Sequence, residues 1–240
     1  MQTSDKSSRG RGRGGTRRNP KLGATVRDRI AEVLRDEIIS GKLSKGMRID
    51  LDETAAELGT SRTPVREACL VLVHEGLVEV APRTGVSVVG LTPRDVEDNF
   101  ALMAVLSGTA AAWAAERGTP DQHKEIRLLS DEVRAAADAG GDIRTANFLF
   151  HRAINRASNS ARLLILLRQT GRLIPTSYFD MIPEQASCAL REHDDIVAAV
   201  TARDPEKARR LSEEHLVRAG RAFVLRMFGE RESSVVEKSG

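Results

Sequence analysis

The sequence predicts a mainly α-helical protein in two parts: an N-terminal winged helix-turn-helix over residues 23–90 and an all-α helical bundle over 91–230. Three observations predict it. Apolar residues recur at three- and four-residue spacing through most of the chain. β-prone runs occur in one place only, a close pair at 77–80 and 86–89. The charge is also divided: residues 1–90 hold 16 Lys/Arg against 12 Asp/Glu, whereas residues 91–240 hold 21 against 22. With 240 residues, each part can bury its own core. The basic surplus sits in the first, where a polyanion would be met.

Residues 1–22 are rich in Gly, Ser and Arg, including Arg9, Arg11, Arg13, Arg17 and Arg18, with almost nothing to bury. This composition predicts a disordered basic arm, solvated or adding non-specific phosphate contacts. The first helix is predicted from Val26, Ile30, Val33, Leu34 and Ile38, with Thr25 as N-cap, Asp28 three residues on, and Gly41 as its stop. Asp50 and Glu53 repeat the capping pattern ahead of a short helix that Gly59 ends. A third helix runs from Ser61 to Glu75, and Pro64 falls in its first turn, where a missing N–H costs little. Val65, Cys69, Leu72 and Val73 form its apolar side, which makes Cys69 a small buried hydrophobe. The β-prone pair, joined through Pro82, Arg83, Thr84 and Gly85, closes the unit as a hairpin.

From Thr92 onward only helical signals remain. Thr92, Pro93 and Asp95 make a helix start, and further helices are predicted at 93–117, 121–138, 142–157, 160–172, 184–202 and 205–228, with a flexible tail over 231–240. The longest uncharged run, Asn99 to Ala115, is polar-spotted and short of the roughly 20 apolar residues that span a bilayer, so it reads as a buried helix and no membrane association is expected. The start of the chain has no signal-peptide pattern. Cys69 and Cys188 lie far apart and suggest neither a disulfide framework nor a CxxC zinc knuckle, which fits a reducing cytoplasm.

The run Gly59-Thr60-Ser61-Arg62-Thr63-Pro64-Val65-Arg66-Glu67-Ala68, followed by Glu75-Gly76-Leu77-Val78, closely resembles the GntR family of bacterial transcriptional regulators. The second half resembles the helical FCD-type ligand-binding domain of the FadR subfamily, through Phe150-His151, Glu192-His193 and Glu214-His215-Leu216. Together the two likenesses cover about nine-tenths of the chain. They imply a regulator that binds double-stranded operator DNA. Arg62 and Arg66 lie four apart, on one face at the leading end of a recognition helix, where an arginine can donate two hydrogen bonds to guanine. The resemblance carries base contacts over to them, places Ser61 and Thr63 near phosphates or base edges, and lays the wing tip, Arg83, Thr84 and Gly85, along the minor groove.

The same resemblance implies a metal site. Asn147 and His151 project from one side of one helix, and His193 and His215 come from two later ones. The family carries Asp where this chain has Asn147, and an amide oxygen is a weaker, neutral donor, so weaker binding of Zn²⁺, or of Ni²⁺ or Mn²⁺, is expected. Three imidazoles would leave positions open for water or the carboxylate of a small anionic effector. An Arg and Glu usual in the family are replaced by Met103 and Ser107, which leaves Arg218, one turn beyond His215, as a substitute cation for that effector. The expectation is a homodimer on a palindromic operator, a repressor released by an organic acid and not an enzyme. Two alternatives stand beside it: a direct metal sensor, and a metal-dependent hydrolytic enzyme, since an open three-histidine site also activates water.

Overall fold

The computed structural model describes residues 25–81, 85–175, 177–182 and 184–236; the basic arm expected over 1–22 lies outside the described residues. The first six elements are α1 (Val26–Ile39), β1 (Arg48–Ile49), α2 (Leu51–Glu57), α3 (Arg62–His74), β2 (Val78–Ala81) and β3 (Gly85–Val88). Local chemistry starts the first two helices. The Thr25 hydroxyl accepts from the Asp28 N–H, and the Asp28 carboxylate accepts from Thr25 N–H in return. Asp50 accepts from the N–H groups of Asp52 and Glu53 at the head of α2. Gly59, at φ +60°, makes the left-handed turn between α2 and α3, a conformation that costs glycine least.

Ile30, Leu34 and Ile38 of α1 meet Val65, Ala68, Cys69 and Leu72 of α3 in one core, closed by Val78, Val86 and Val88 of the sheet. Val26 and Val33, counted in the periodic stripe, and Val73, expected in the core, are exposed instead. Ala31 and Ala68 are buried in this core, while Val26, Val33 and Val73 lie at its edge and face solvent. The sheet is antiparallel in the order β1-β3-β2, with Ile49 opposite Val86 and Val78 opposite Val88. The strand β1 was not expected, because two residues carry no readable period.

The remaining elements are α4 (Pro93–Arg117), α5 (Pro120–Asp138), α6 (Ile143–Ala157), α7 (Ala161–Thr170), a 3-10 turn (Gly171–Leu173), α8 (Tyr178–Met181), α9 (Glu184–Thr201) and α10 (Pro205–Val236). The fold is mainly α, as expected. Two features depart from expectation. The short α8 was missed, and α10 continues to Val236, so the tail expected from 231 is helical for its first six positions, with 237–240 outside the described residues.

The uncharged run sits in α4, where Ala110, Ala111, Ala112, Ala114 and Ala115 are buried. Small side chains there let α10, α6 and α9 approach closely, around Phe150, Ile126, Ile196 and Val200. Among the described residues, no helix is long and apolar enough to cross a membrane. The carbonyl end of α4 is satisfied from outside: the Arg203 guanidinium donates to the carbonyls of Ala115, Glu116 and Gly118, and a ring nitrogen of His123 lies 2.9 Å from the carbonyl of Ala114. His123 is thereby a structural histidine.

Candidate DNA-reading face and metal centre

At the head of α3, Ser61 is the N-cap residue, extended at φ −96° and ψ 162°, and its side chain makes no capping bond. Its hydroxyl and the first N–H groups of the helix are left for another acceptor. Ser61, Arg62, Thr63 and Arg66 are all exposed, while Val65 and Cys69, on the other side of the same turns, are 0% and 1% exposed. Burial pushes the Cys69 thiol up to about 11, so it is not a reactive thiolate. Arg62 is held loosely: its Nη1 donates to Asp52 of α2 at 3.2 Å, and both side chains are mostly exposed. Of the expected wing-tip residues, Gly85 opens β3 at φ +84°, and Arg83 and Thr84 lie outside the described residues.

The second centre lies between three helices of the bundle. α6 carries Asn147 and His151 one turn apart, α9 carries His193, and α10 carries His215. One nitrogen from each histidine falls within 4.8 Å of the others, and the ring centroids are 5.0–5.2 Å apart. His193 is fully buried with its ring 4.3 Å from Phe150, and His215 is 6% exposed. Burial holds the His151 imidazole neutral down to about 3, aided by His215 beside it, and keeps His193 well below its usual range. Neutral imidazoles are what a cation requires.

The polar inventory also fits a cation. Asn147 Oδ1 and both ring nitrogens of His193 are buried without a hydrogen-bond partner. Each such group costs about 1–3 kcal/mol if left so. A divalent ion taking one lone pair from the His193 ring and one from the amide oxygen would satisfy two of these three atoms. His215 is oriented from outside: its Nδ1 lies 2.5 Å from Glu192 Oε2, and Arg218 Nε donates to the other carboxylate oxygen at 2.6 Å. Burial pulls the Glu192 carboxyl up, but the bonds from His215 and Arg218 outweigh it and hold the group below the usual carboxylate range. A carboxylate behind a ligating histidine fixes its tautomer.

Comparison with known proteins agrees with both halves. Residues 26–88 match the gntR family of bacterial regulatory proteins, and residues 98–218 match the FCD domain. The chain belongs to the GntR family. This regulator is 32% identical over 202 residues to the "Probable D-xylose utilization operon transcriptional repressor" of Paenarthrobacter nicotinovorans, a match covering 80% of this chain and 86% of that one. Its structure is similar to that of E. coli McbR/YncC at TM-score 0.63 and 27% identity, over 80% of this chain and 93% of that one. It is also similar to a GntR transcriptional regulator from Rhodococcus sp. RHA1, at TM-score 0.57 and 28% identity, over 82% and 96%. The family and these relatives are transcriptional regulators, and the hydrolytic alternative finds no support among them.

Three of the four expected metal-site positions of the GntR-family chain, His151, His193 and His215, converge, and Asn147 stands one turn before His151 on α6. The Arg218 guanidinium is already engaged by Glu192 and lies 3.8 Å from Glu214. Met103 joins the apolar cluster of Phe100, Leu216 and Phe223, so the side of α4 where the family places a cation is apolar here. Glu192 stands beside His193 in the family motif, and the sequence alone assigns it no role. Its neighbour in sequence, His193, was the only pointer to it, because contact with His215 depends on how α9 and α10 cross.

Proposed function

We propose that this GntR-family regulator binds a palindromic operator as a homodimer, reads it through Ser61, Arg62, Thr63 and Arg66 with Arg83, Thr84 and Gly85 along the minor groove, and senses a small anionic metabolite beside a divalent metal. The observation that carries the sensing half is the meeting of three histidines, with an unpaired buried amide oxygen, Asn147 Oδ1, one turn before His151 on the same helix. His151, His193, His215 and Asn147 would hold the ion, zinc by preference from the nitrogen-rich donor set, with nickel or manganese as alternatives. The bound ion would supply a Lewis-acidic centre for an effector carboxylate. Repression with release by the effector is the default mode. The cytoplasm is the expected setting.

The reading half is supported by exposure: the cationic turn of α3 faces solvent while its other side is buried. Fluorescence anisotropy with duplexes from the regulator's own promoter region tests it. Arg62→Ala and Arg66→Ala should each cost about 1–3 kcal/mol and relax base preference. Affinity unchanged in the double variant overturns the assignment. Zinc titration of metal-free protein tests the other half. Binding retained by the triple variant His151→Ala, His193→Ala, His215→Ala removes the metal centre.

A direct metal sensor remains as a second reading because of one observation. Arg218, the cation expected to meet an anionic effector, is already bonded to Glu192. Zinc-dependent operator binding that no organic acid alters would favour the sensor.

A further inference from the structure

We infer that Arg172, carried by the helical bundle, is a positioning residue for the DNA-reading helix: it closes a charge clamp on Glu75 at the far end of α3 and so fixes the angle of the reading head. The inference rests on α3 being the helix that meets DNA. Glu75 is the C-cap residue of α3. A carboxylate there faces the negative end of the helix dipole, an unfavourable place unless cations surround it. Two do. Arg35 of α1 grips it with both edges, Nε to Oε2 at 2.7 Å and Nη2 to Oε1 at 2.8 Å, with both side chains 10% exposed. That pair is complete by itself, one charge against one in bidentate geometry.

Arg172 is therefore surplus to neutrality. Its Nη1 donates to Glu75 Oε1 at 2.8 Å from a residue 97 positions away, in the 3-10 turn after α7. The turn is itself pinned. The Asn99 side-chain amide donates to the Thr170 carbonyl, and Leu173 packs on the core that α1, α3 and the hairpin share. Downstream, α8 is anchored by Tyr178, whose hydroxyl donates to the carbonyl of Ala219 in α10, one turn past His215. Burial, and to a lesser extent the charge of Glu192, pushes the Tyr178 hydroxyl up. Residues 170–175 and 177–182 thus touch the end of the reading helix and the helix that carries His215. Displacement of α10 or Glu192 has a direct mechanical route to Glu75.

Removing Arg172 leaves the buried pair of Arg35 and Glu75 intact, so Arg172→Gln separates the clamp from folding. Glu75→Gln would not, because it strands a buried guanidinium. The contact is single, so Arg172→Lys should restore it, whereas Lys at position 35 could not reproduce the fork. The test measures the distance between spin labels on α2 and α5, at Glu57→Cys and Asp131→Cys, by double electron–electron resonance. The protein is free of DNA, carries Cys188→Ser, and is mixed with excess unlabelled chain. Arg172→Gln should spread the distance distribution to at least about twice the parental width, and Arg172→Lys should narrow it again. A distribution in Arg172→Gln no wider than the parent overturns the inference. The measurement needs no operator, so failure of the parent to bind DNA would count against the proposed function and leave this result standing.

Discussion

At the scale of single residues, Asn147 is the position expected to set how tightly the proposed centre would hold an ion. Its Oδ1 is buried and unpartnered one turn before His151. Asn147→Asp keeps the shape and adds a charge, and the sign of its effect depends on whether a cation is there. Without metal, a buried carboxylate with no cation beside it should destabilise the fold or take up a proton. With metal, the same charge strengthens binding. We expect zinc affinity to rise by about tenfold or more, with a lower thermal midpoint in chelator and a larger zinc-induced upshift. Competition against a chromophoric chelator and thermal unfolding check the two halves. Equal affinities would place Asn147 outside the coordination shell. The three histidines that meet were legible at this scale because the family motif points to them, and helical spacing puts Asn147 on the His151 side of α6. The sequence did not carry Glu192, whose partner is set by the crossing of two helices.

At the scale of elements, α4 and α10 meet closely at two glycines that look alike in sequence and differ in their neighbours. A β-carbon at Gly220 would stand 2.6 Å from Phe100 Cβ and 2.7 Å from its Cγ, atoms rooted at the backbone of α4. One at Gly108 would meet Glu213 Cγ and Oε1 at 2.5 and 2.6 Å, on a half-exposed chain that can swing away. Alanine in a helix gains about 1 kcal/mol over glycine, and overpacking costs about 1–3 kcal/mol where nothing can yield. Gly220→Ala should therefore lower the urea midpoint, and Gly108→Ala should hold or raise it. Equal losses in both would mean that Glu213 is as fixed as Phe100. Helix starts were legible because Thr25, Asp50, Thr92 and Asp142 are true caps. The end of α10 was not: Gly229 reads as a stop, but the helix runs on to Val236. Nor was α8, whose four residues show barely one helical turn.

At the scale of the whole molecule, the bundle exposes apolar side chains that the proposed second copy would cover. α4 exposes Leu102 at 61% and Val105 at 58%, three residues apart on one side. α7, packed on α4 through Leu163 and Leu167, exposes Ile165 at 48% and Leu166 at 47%. Single exposed leucines are ordinary, but such residues on two adjoining helices suit a two-fold contact. A pair of heads joined there would bind two half-sites as one event, so its operator affinity exceeds that of a single head by about 10²–10⁴. Leu102→Glu with Val105→Glu places two like charges across such a contact. The double variant should sediment as a monomer with unchanged far-ultraviolet circular dichroism, and its operator affinity should fall by at least about a hundredfold, while binding to an isolated half-site stays near the parental value. A variant that remains dimeric would move the interface away from α4. One that becomes monomeric yet holds the full operator as tightly as the parent would dissolve the link between dimer and palindrome.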